Sequence, residues 1–87
     1  MEHNLNLYHI FYTVAKCGNI STAAHQLYIS QPAISKSISR LEQNLDTNLF
    51  IRSSRGVSLT MEGELLYKQV DCAFSAIRRG EEELQKV

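Results

Sequence analysis

The segment from residue 30 to residue 45 constrains the fold most, because its apolar side chains repeat at the spacing of one helix face. Those side chains are separated by four, three and four residues: Ile34, Ile38, Leu41 and Leu45. At about 100° per residue they form one narrow stripe. Ser30 can cap such a helix, and Pro32 falls in its first turn, where the absent amide proton costs no hydrogen bond. The sequence therefore predicts a helix at about residues 31–45 with a single buried face.

The opposite side of this helix offers hydrogen-bond donors and no acidic group. It carries Pro32, Lys36, Ser39 and Gln43, with Arg40 at its margin. Gln31 and Ser35 lie on one flank near the amino end, and Glu42 lies farther along that flank. Lysine and glutamine reach acceptors on base edges, whereas serine hydroxyls and the amides of a helix start bind phosphates. This face therefore suits the major groove of duplex DNA.

The preceding residues predict two shorter helices joined by a turn. The first has a buried stripe that includes Leu7, Phe11 and Val14, with His9, Thr13 and Lys16 on its other side. Gly18 is expected to end it in the left-handed conformation, and Ser21 to cap the second helix. Ala23 and Ala24 are small where the two helices must meet. Helix, short turn and helix is the predicted local arrangement.

Residues 49–59 predict a two-stranded hairpin beside these helices. The strand LFIR (residues 49–52) is followed by the turn SSRG and the returning strand VSL (residues 57–59). A hairpin next to a helix pair is a wing, and this one carries Arg52 and Arg55. Thr60 can then cap a last helix.

The last predicted helix has more apolar surface than a domain of this size can cover. Small or apolar residues alternate gaps of three and four for about three heptads: Gly63, Leu66, Val70, Ala73, Ile77, Gly80, Leu84 and Val87. A helix of about 25 residues extends more than ~35 Å, which is about the width of the whole domain. Its first turns, near Leu66 and Val70, are expected to pack on the domain, and its distal half is expected to seek a partner helix. We expect a homodimer through Leu66, Val70, Ala73, Ile77, Gly80 and Leu84.

Charge is unevenly distributed, although the formal net charge is zero. Residues 1–60 hold five basic and three acidic side chains, whereas residues 61–87 hold four basic and six acidic ones. The two parts are therefore expected to have different roles.

No catalytic or metal-binding pattern occurs in the sequence. His3, His9 and His25 share no metal-ligand spacing with each other or with the cysteines, and no HExxH, P-loop or GxGxxG motif is found. Tyr8, Tyr12 and Tyr28 are interpreted mainly as core residues, because single-strand binders place aromatic side chains along the groove of a sheet. We expect no enzyme, no cofactor and no bound metal.

The cysteines and the amino terminus indicate a cytoplasmic location. Cys17 and Cys72 form no CxxC pair and lie within helical patterns, which favours reduced thiols. The amino terminus lacks a basic and apolar leader, and no apolar run approaches the ~20 residues that a bilayer requires. A soluble protein without a membrane partner is expected.

Five stretches together resemble the amino-terminal DNA-binding domain of LysR-type transcriptional regulators, over essentially the whole chain. They are FYTVAKCGNISTAAHQL (residues 11–27), SQPAISKSISRLE (residues 30–42), LFIR (residues 49–52), RGVSLT (residues 55–60) and the following Gly63. The resemblance implies a mainly α fold. A winged helix-turn-helix of three helices and a two-stranded wing occupies residues 1–60, and a long linker helix in residues 61–87 pairs antiparallel with its partner. The implied function is sequence-specific binding of double-stranded operator DNA, as a dimer on an inverted repeat.

The resemblance also implies how individual residues meet DNA. Gln31, Pro32, Ala33 and Lys36 approach base edges, Ser21, Ser30 and Ser35 hold phosphates, and Arg52 and Arg55 lie along the backbone or the neighbouring minor groove. The donor face adds Ser39 and Arg40 as candidate contacts. Lys36 stands where arginine is common in the family, so the bidentate fork to guanine is lost. Asp46 stands where the family usually turns on glycine, and aspartate tolerates the left-handed conformation better than most residues.

Two further expectations concern partners. Family members continue into a ligand-sensing domain, so a small-molecule effector is expected only for a part that this chain lacks. A protein-interaction module is the alternative function, because winged helices also bind proteins and the last helix is acidic. A steep loss of DNA affinity with rising salt would distinguish DNA binding from this alternative.

Overall fold

The structure, a computed structural model, describes residues 4–87, and His3 lies outside them. It contains helices α1 (Leu5–Cys17), α2 (Ile20–Leu27) and α3 (Gln31–Leu45), strands β1 (Phe50–Ser53) and β2 (Gly56–Leu59), and helix α4 (Met61–Gln85). This order confirms the predicted mainly α fold of three helices, a two-stranded wing and a long final helix. The division into a domain of residues 1–60 and a linker helix of residues 61–87 stays a prediction.

The first three helices pack around one apolar core. The predicted stripe of α3 is buried, with at most 2% of the surface exposed at Ile34, Ile38 and Leu41. Phe11 and Val14 of α1 are fully buried against it, and Ala23 and Ala24 of α2 allow close helix contact. Leu49, which precedes β1, closes the core on the side of the wing. Burial of these side chains is the main stabilising contribution to the domain.

Each helix begins after a residue whose side chain accepts an amide proton. Asn4 caps α1, Ser30 caps α3 and Thr60 caps α4, the last two as predicted. The prediction that Ser21 caps α2 is wrong. Asn19 Oδ1 accepts the proton of the Thr22 amide at 2.7 Å, and the helix begins at Ile20. Asparagine caps helices as well as serine does, and Asn19 stands two positions earlier, so Ser21 lies exposed in the first turn.

The first three helices all end in a left-handed residue. Gly18 ends α1 with φ 77°, as predicted, and Asp46 ends α3 with φ 51°. The Asp46 N–H donates to the backbone carbonyls of Gln43 and Glu42, which satisfies the last turn. Tyr28 ends α2 with φ 56°. Its interpretation as a core residue is wrong, because 94% of its surface is exposed.

Thr13 also lies on a different side of its helix from the one that the spacing predicts. It is buried rather than facing outward, and its hydroxyl donates to the His9 carbonyl oxygen at 2.9 Å. A threonine can be buried in this way because the preceding turn of its own helix satisfies the hydroxyl.

The wing is a tight hairpin held against the end of α1. Ser53 pairs with Gly56, so the turn contains two residues instead of the predicted four. Gly56 has φ 124°, and a Cβ atom there would lie 2.5 Å from the Gly18 carbonyl oxygen. Only glycine allows that approach. The same carbonyl accepts the Val57 amide proton at 3.0 Å, which fixes β2 relative to α1.

Only the first half of α4 packs on the domain. Leu66, Tyr67 and Phe74 pack against the core, and Val70 is 7% exposed within it. The predicted dimer positions farther along the helix are exposed: Ala73, Ile77, Gly80 and Leu84. Val70 and Leu66 are therefore engaged in their own domain, as expected for the first turns of the helix.

An aromatic cluster joins α4 to α1. The predicted core residue Tyr12 is 6% exposed, and its hydroxyl donates to Asp71 Oδ1 at 2.6 Å. Its ring stacks on Tyr67 with the centroids 5.3 Å apart and meets the edge of Phe74 at 5.1 Å. The hydrogen bond to Asp71, and then burial, raise the pKa of the Tyr12 hydroxyl above its usual value. This cluster sets the direction in which α4 leaves the domain.

Candidate nucleic-acid interface

The outer face of α3 is exposed to solvent along its length. The exposed residues include those that the sequence assigns to DNA: Gln31, Pro32, Ala33, Lys36, Ser39 and Arg40. Ser35 is half-buried on the flank. Because Ile34 and Ile38 are fixed inward by the core, this face is held outward. The predicted orientation of the helix is confirmed, and the contacts of its residues with DNA stay a prediction.

The amino end of α3 carries no acidic group. Ser30 Oγ accepts the proton of the Ala33 amide at 3.2 Å, and the first turn contains no aspartate or glutamate. The sequence has no acidic residue between Glu2 and Glu42. The positive end of the helix dipole is therefore not neutralised by a carboxylate of its own first turn, which favours an anion there.

Glu42, the one acidic residue of α3, is engaged with the start of the wing. Its Oε2 atom accepts the amide proton of Leu49 at 2.7 Å and that of Phe50 at 3.2 Å. These bonds hold the carboxylate toward the wing and fix the position of β1 relative to α3. Sequence reasoning placed Glu42 on a flank but missed this role, because the two partners are seven and eight positions away and no local motif signals the contact.

The wing brings basic side chains beside α3. Arg52 is exposed on β1, and its Nη1 atom lies 3.5 Å from Ser35 Oγ, at the outer limit of a hydrogen bond. Arg55 is exposed in the hairpin turn. The structure therefore places Arg52 next to one of the predicted phosphate contacts, whereas Arg55 extends the basic surface to the tip of the wing.

A shallow depression connects α2 to the start of α3. Its lining includes Ser21, His25, Tyr28, Ser30 and Gln31. Two of the predicted phosphate contacts, Ser21 and Ser30, thus lie on one surface although they belong to different helices. Tyr28 and His25 were not assigned to this surface from the sequence. The sequence around a tyrosine does not show whether its side chain is exposed in a turn or buried in the core.

Neither a metal cluster nor a membrane helix is found among residues 4–87. No group of three or more His, Cys, Asp or Glu side chains there could hold a metal ion. Within the same residues, no helix is both long and apolar enough to cross a bilayer. Cys17 is half-buried and Cys72 is exposed, and both are free thiols.

The sequence matches a known protein family over α1, α2, α3, the wing and the first residues of α4. Residues 5–64 match the model of the family described as bacterial regulatory helix-turn-helix protein, lysR family. The chain belongs to the LysR family. This confirms the resemblance noted from the sequence.

LysR-family relatives with similar sequences are named as transcriptional regulators. The chain is 40% identical over 81 residues to the uncharacterized HTH-type transcriptional regulator y4mQ of Sinorhizobium fredii (strain NBRC 101917 / NGR234). This alignment covers 93% of this chain and 27% of that protein. The chain is also 40% identical over 76 residues to the HTH-type transcriptional regulator PerR of Escherichia coli (strain K12). That alignment covers 87% of this chain and 26% of that protein. The chain therefore spans about a quarter of the length of these relatives.

Solved LysR-family structures have the same fold. The crystal structure of the CbnR_DBD-DNA complex superposes with a TM-score of 0.82 at 28% identity, covering 97% of this chain and 97% of that chain. The crystal structure of the BenM_DBD/benA site 1 DNA complex gives a TM-score of 0.85 at 28% identity, covering 97% of this chain and 98% of that chain. Both comparisons include α4 as well as the winged helix-turn-helix.

Proposed function

We propose that this chain is the DNA-binding domain of a LysR-type transcriptional regulator and binds double-stranded DNA with α3 in the major groove. The observation that carries the proposal is the outer face of α3, where donor side chains are exposed and no carboxylate intervenes. Glu42, which could have repelled phosphates, is held toward the wing instead. Two solved neighbours, CbnR_DBD and BenM_DBD, are named as DNA complexes, which supports the same role here.

The residues assigned to DNA differ in the part of the duplex that they contact. The bases are contacted by the first turns and the centre of the helix, through Gln31, Pro32, Ala33 and Lys36. Ser39 and Arg40 continue the donor face toward the carboxyl end, and Ser21, Ser30 and Ser35 donate to phosphates. Phosphate contacts fix the register of the helix on the duplex, whereas base contacts determine which sequence is bound.

The wing contributes charge beside the helix. Arg52 and Arg55 neutralise phosphates of the backbone or enter the neighbouring minor groove. The 3.5 Å separation of Arg52 from Ser35 supports a shared stretch of backbone for these two residues. Each neutralised phosphate releases counterions, so binding should weaken as salt rises.

A homodimer through α4 presents two copies of α3 to an inverted-repeat operator. The exposed distal stripe of the helix supports this arrangement, with Ile77 56% and Leu84 76% exposed in the single chain. Ala73 and Gly80 allow two helices to approach closely. Leu66 and Val70 act mainly by holding α4 on its own domain, and the partner helix runs antiparallel. The two half-sites lie about one helical turn, or a multiple of it, apart.

The remaining expectations follow from this assignment. The chain acts in the cytoplasm without a cofactor and without enzymatic activity. A small-molecule effector would bind a further domain of the regulator, since the relatives are more than three times as long as this chain. Residues 1–60 form the DNA-binding domain, and residues 61–87 form the dimerisation helix.

The proposal is tested with a duplex selected by this chain from random DNA. Binding is measured at several salt concentrations for the unmodified chain, Lys36→Ala, Gln31→Ala and Lys68→Ala. Lys68 is the matched control, because it is an exposed helical lysine on α4. Loss of a base contact should weaken binding by about 1–3 kcal/mol, roughly 5- to 150-fold, for the two α3 variants.

Three outcomes decide between the hypotheses. A steep fall of affinity with salt, together with weaker binding by the α3 variants only, supports the proposal. If Lys36→Ala and Gln31→Ala bind as well as the unmodified chain, the assigned face is wrong. No binding to any duplex at low salt would favour the protein-interaction module.

A further inference from the structure

Tyr28 is a surface feature that the roles assigned above do not explain. Its side chain is 94% exposed, and it is the one aromatic residue among the exposed large apolar side chains of the described chain. Burial of its ring therefore contributes little to the stability of the domain. Other aromatic rings, such as Tyr12 and Phe11, are buried in the core or at the α1–α4 junction.

The backbone at this position does not favour a tyrosine either. Tyr28 has φ 56° and ψ 40°, the left-handed conformation that bulky residues rarely adopt and that glycine or asparagine adopts more easily. Neither packing nor backbone geometry accounts for a tyrosine here. An exposed side chain in an unfavourable backbone conformation indicates a role in binding another molecule and not in stabilising the fold.

The surroundings of Tyr28 indicate what it meets. It shares the depression between α2 and α3 with Ser21, Ser30 and Gln31, which are predicted to contact phosphates and a base. The whole stretch from residue 3 to residue 41 contains no acidic side chain. A polyanionic strand following this surface would therefore pass beside the phenol ring without repulsion from this stretch.

We propose that Tyr28 is a DNA-contacting residue whose hydroxyl donates to a phosphate oxygen of the strand bordering the groove that α3 occupies. The ring then lies against the adjacent sugar, which explains why an aromatic residue and not a serine stands here. This inference rests on the proposed function of α3. It adds a neutral contact at the turn between the two helices, where the rest of the interface relies on short hydroxyls and basic side chains.

Two substitutions test the contact on the selected duplex. Tyr28→Phe removes only the hydroxyl, and Tyr28→Asn removes the ring while keeping a residue that suits the left-handed backbone. Because a hydrogen bond to a charged group is strong, Tyr28→Phe should bind about tenfold more weakly, and Tyr28→Asn at least as weakly. The Tm of Tyr28→Asn should equal or exceed that of the unmodified chain, which separates lost contact from lost folding.

The salt dependence provides an independent readout. A neutral phenol releases no counterion, so the slope of affinity against salt should be the same for both variants and the unmodified chain. Arg52→Ala is the comparison, since removal of a cation should make that slope shallower.

The possible outcomes separate this inference from the proposed function. If the unmodified chain binds and Lys36→Ala weakens binding while both Tyr28 variants bind normally, the Tyr28 contact is refuted and the function stands. If Tyr28→Asn binds weakly but Tyr28→Phe binds normally, the hydroxyl–phosphate bond is refuted. Failure of the unmodified chain to bind any duplex would refute both.

Discussion

Replacing Gly63 by alanine should destabilise the domain, although alanine is the better helix former. A Cβ atom at Gly63 would overlap the Leu49 carbonyl oxygen and would lie 3.0 Å from Leu59 Cδ2. A backbone oxygen cannot rotate away as the end of a flexible side chain can. This carbonyl also accepts the Thr60 amide proton at 3.0 Å, so moving it strains the junction between the wing and α4.

The change in the free energy of unfolding is the sum of two destabilising contributions and one stabilising contribution. Forcing an extra methyl into a packed site costs about 1–3 kcal/mol, and weakening the hydrogen bond between Thr60 and Leu49 costs about 1 kcal/mol. The higher helix propensity of alanine returns at most about 1 kcal/mol. We expect a net loss of about 2 kcal/mol. For a chain of 87 residues, this corresponds to a Tm lower by about 8–16 °C.

Gly80→Ala in the same helix is the matched control. A Cβ atom there meets nothing within 4 Å in the single chain, so at concentrations where the chain is monomeric this variant should gain about 0.5–1 kcal/mol. Both variants are unfolded by heat and by urea at several protein concentrations, because pairing through α4 would make Tm depend on concentration. If Gly63→Ala is as stable as Gly80→Ala, the close approach of α4 to Leu49 is not a constraint and the reasoning fails.

Substitutions at three further residues test contacts that position the interface. Tyr12→Phe removes the bond to Asp71 and should cost about 1 kcal/mol near neutral pH. The pKa of the Tyr12 hydroxyl is raised in the folded chain, so its contribution is complete below the usual value of 10.0 and is lost as pH rises through the raised value. Thermal unfolding between about pH 8 and pH 11 should therefore show a smaller alkaline loss for Tyr12→Phe, and an equal loss would contradict this assignment. Glu42→Gln should cost about 1 kcal/mol in urea and speed hydrogen exchange at the Leu49 amide, whereas unchanged exchange would mean that the carboxylate does not hold the wing. Ser30→Ala should cost about 1 kcal/mol through loss of the α3 cap, and Ser30→Asn should restore most of it; equal stability of both would exclude a capping role.

Local patterns in the sequence were sufficient to predict the helices and the outer face of α3. The spacing of Ile34 and Ile38 fits one buried face of a helix, and the caps Ser30 and Thr60 stand directly before their helices. The left-handed end at Gly18 also follows from the residue type. Each of these features depends on residues within about one helical turn, so no knowledge of the tertiary fold was needed.

Contacts between distant residues could not be predicted in the same way. Tyr12 and Asp71 are 59 positions apart, and Glu42 reaches amides seven and eight positions away, so neither pair leaves a periodic signal. At the start of α2, Asn19 and Ser21 both have side chains that cap helices, so residue type alone does not distinguish the cap, which is Asn19. Tyr28 was misplaced because its apolar ring suggests a core, whereas the turn that it occupies projects it into solvent. Burial of a single aromatic residue depends on the path of the backbone and not on its own type.

Leu49 joins three elements of the domain through its own backbone. Its amide donates to Glu42 on α3, its carbonyl accepts from Thr60 before α4, and that carbonyl lies directly against Gly63. A force that tilts the protruding part of α4 would therefore be transmitted through rigid peptide groups to the helix proposed to lie in the major groove. Mechanical load on the distal helix is therefore coupled to the position of α3 through Leu49, in addition to the aromatic cluster that joins α4 to α1.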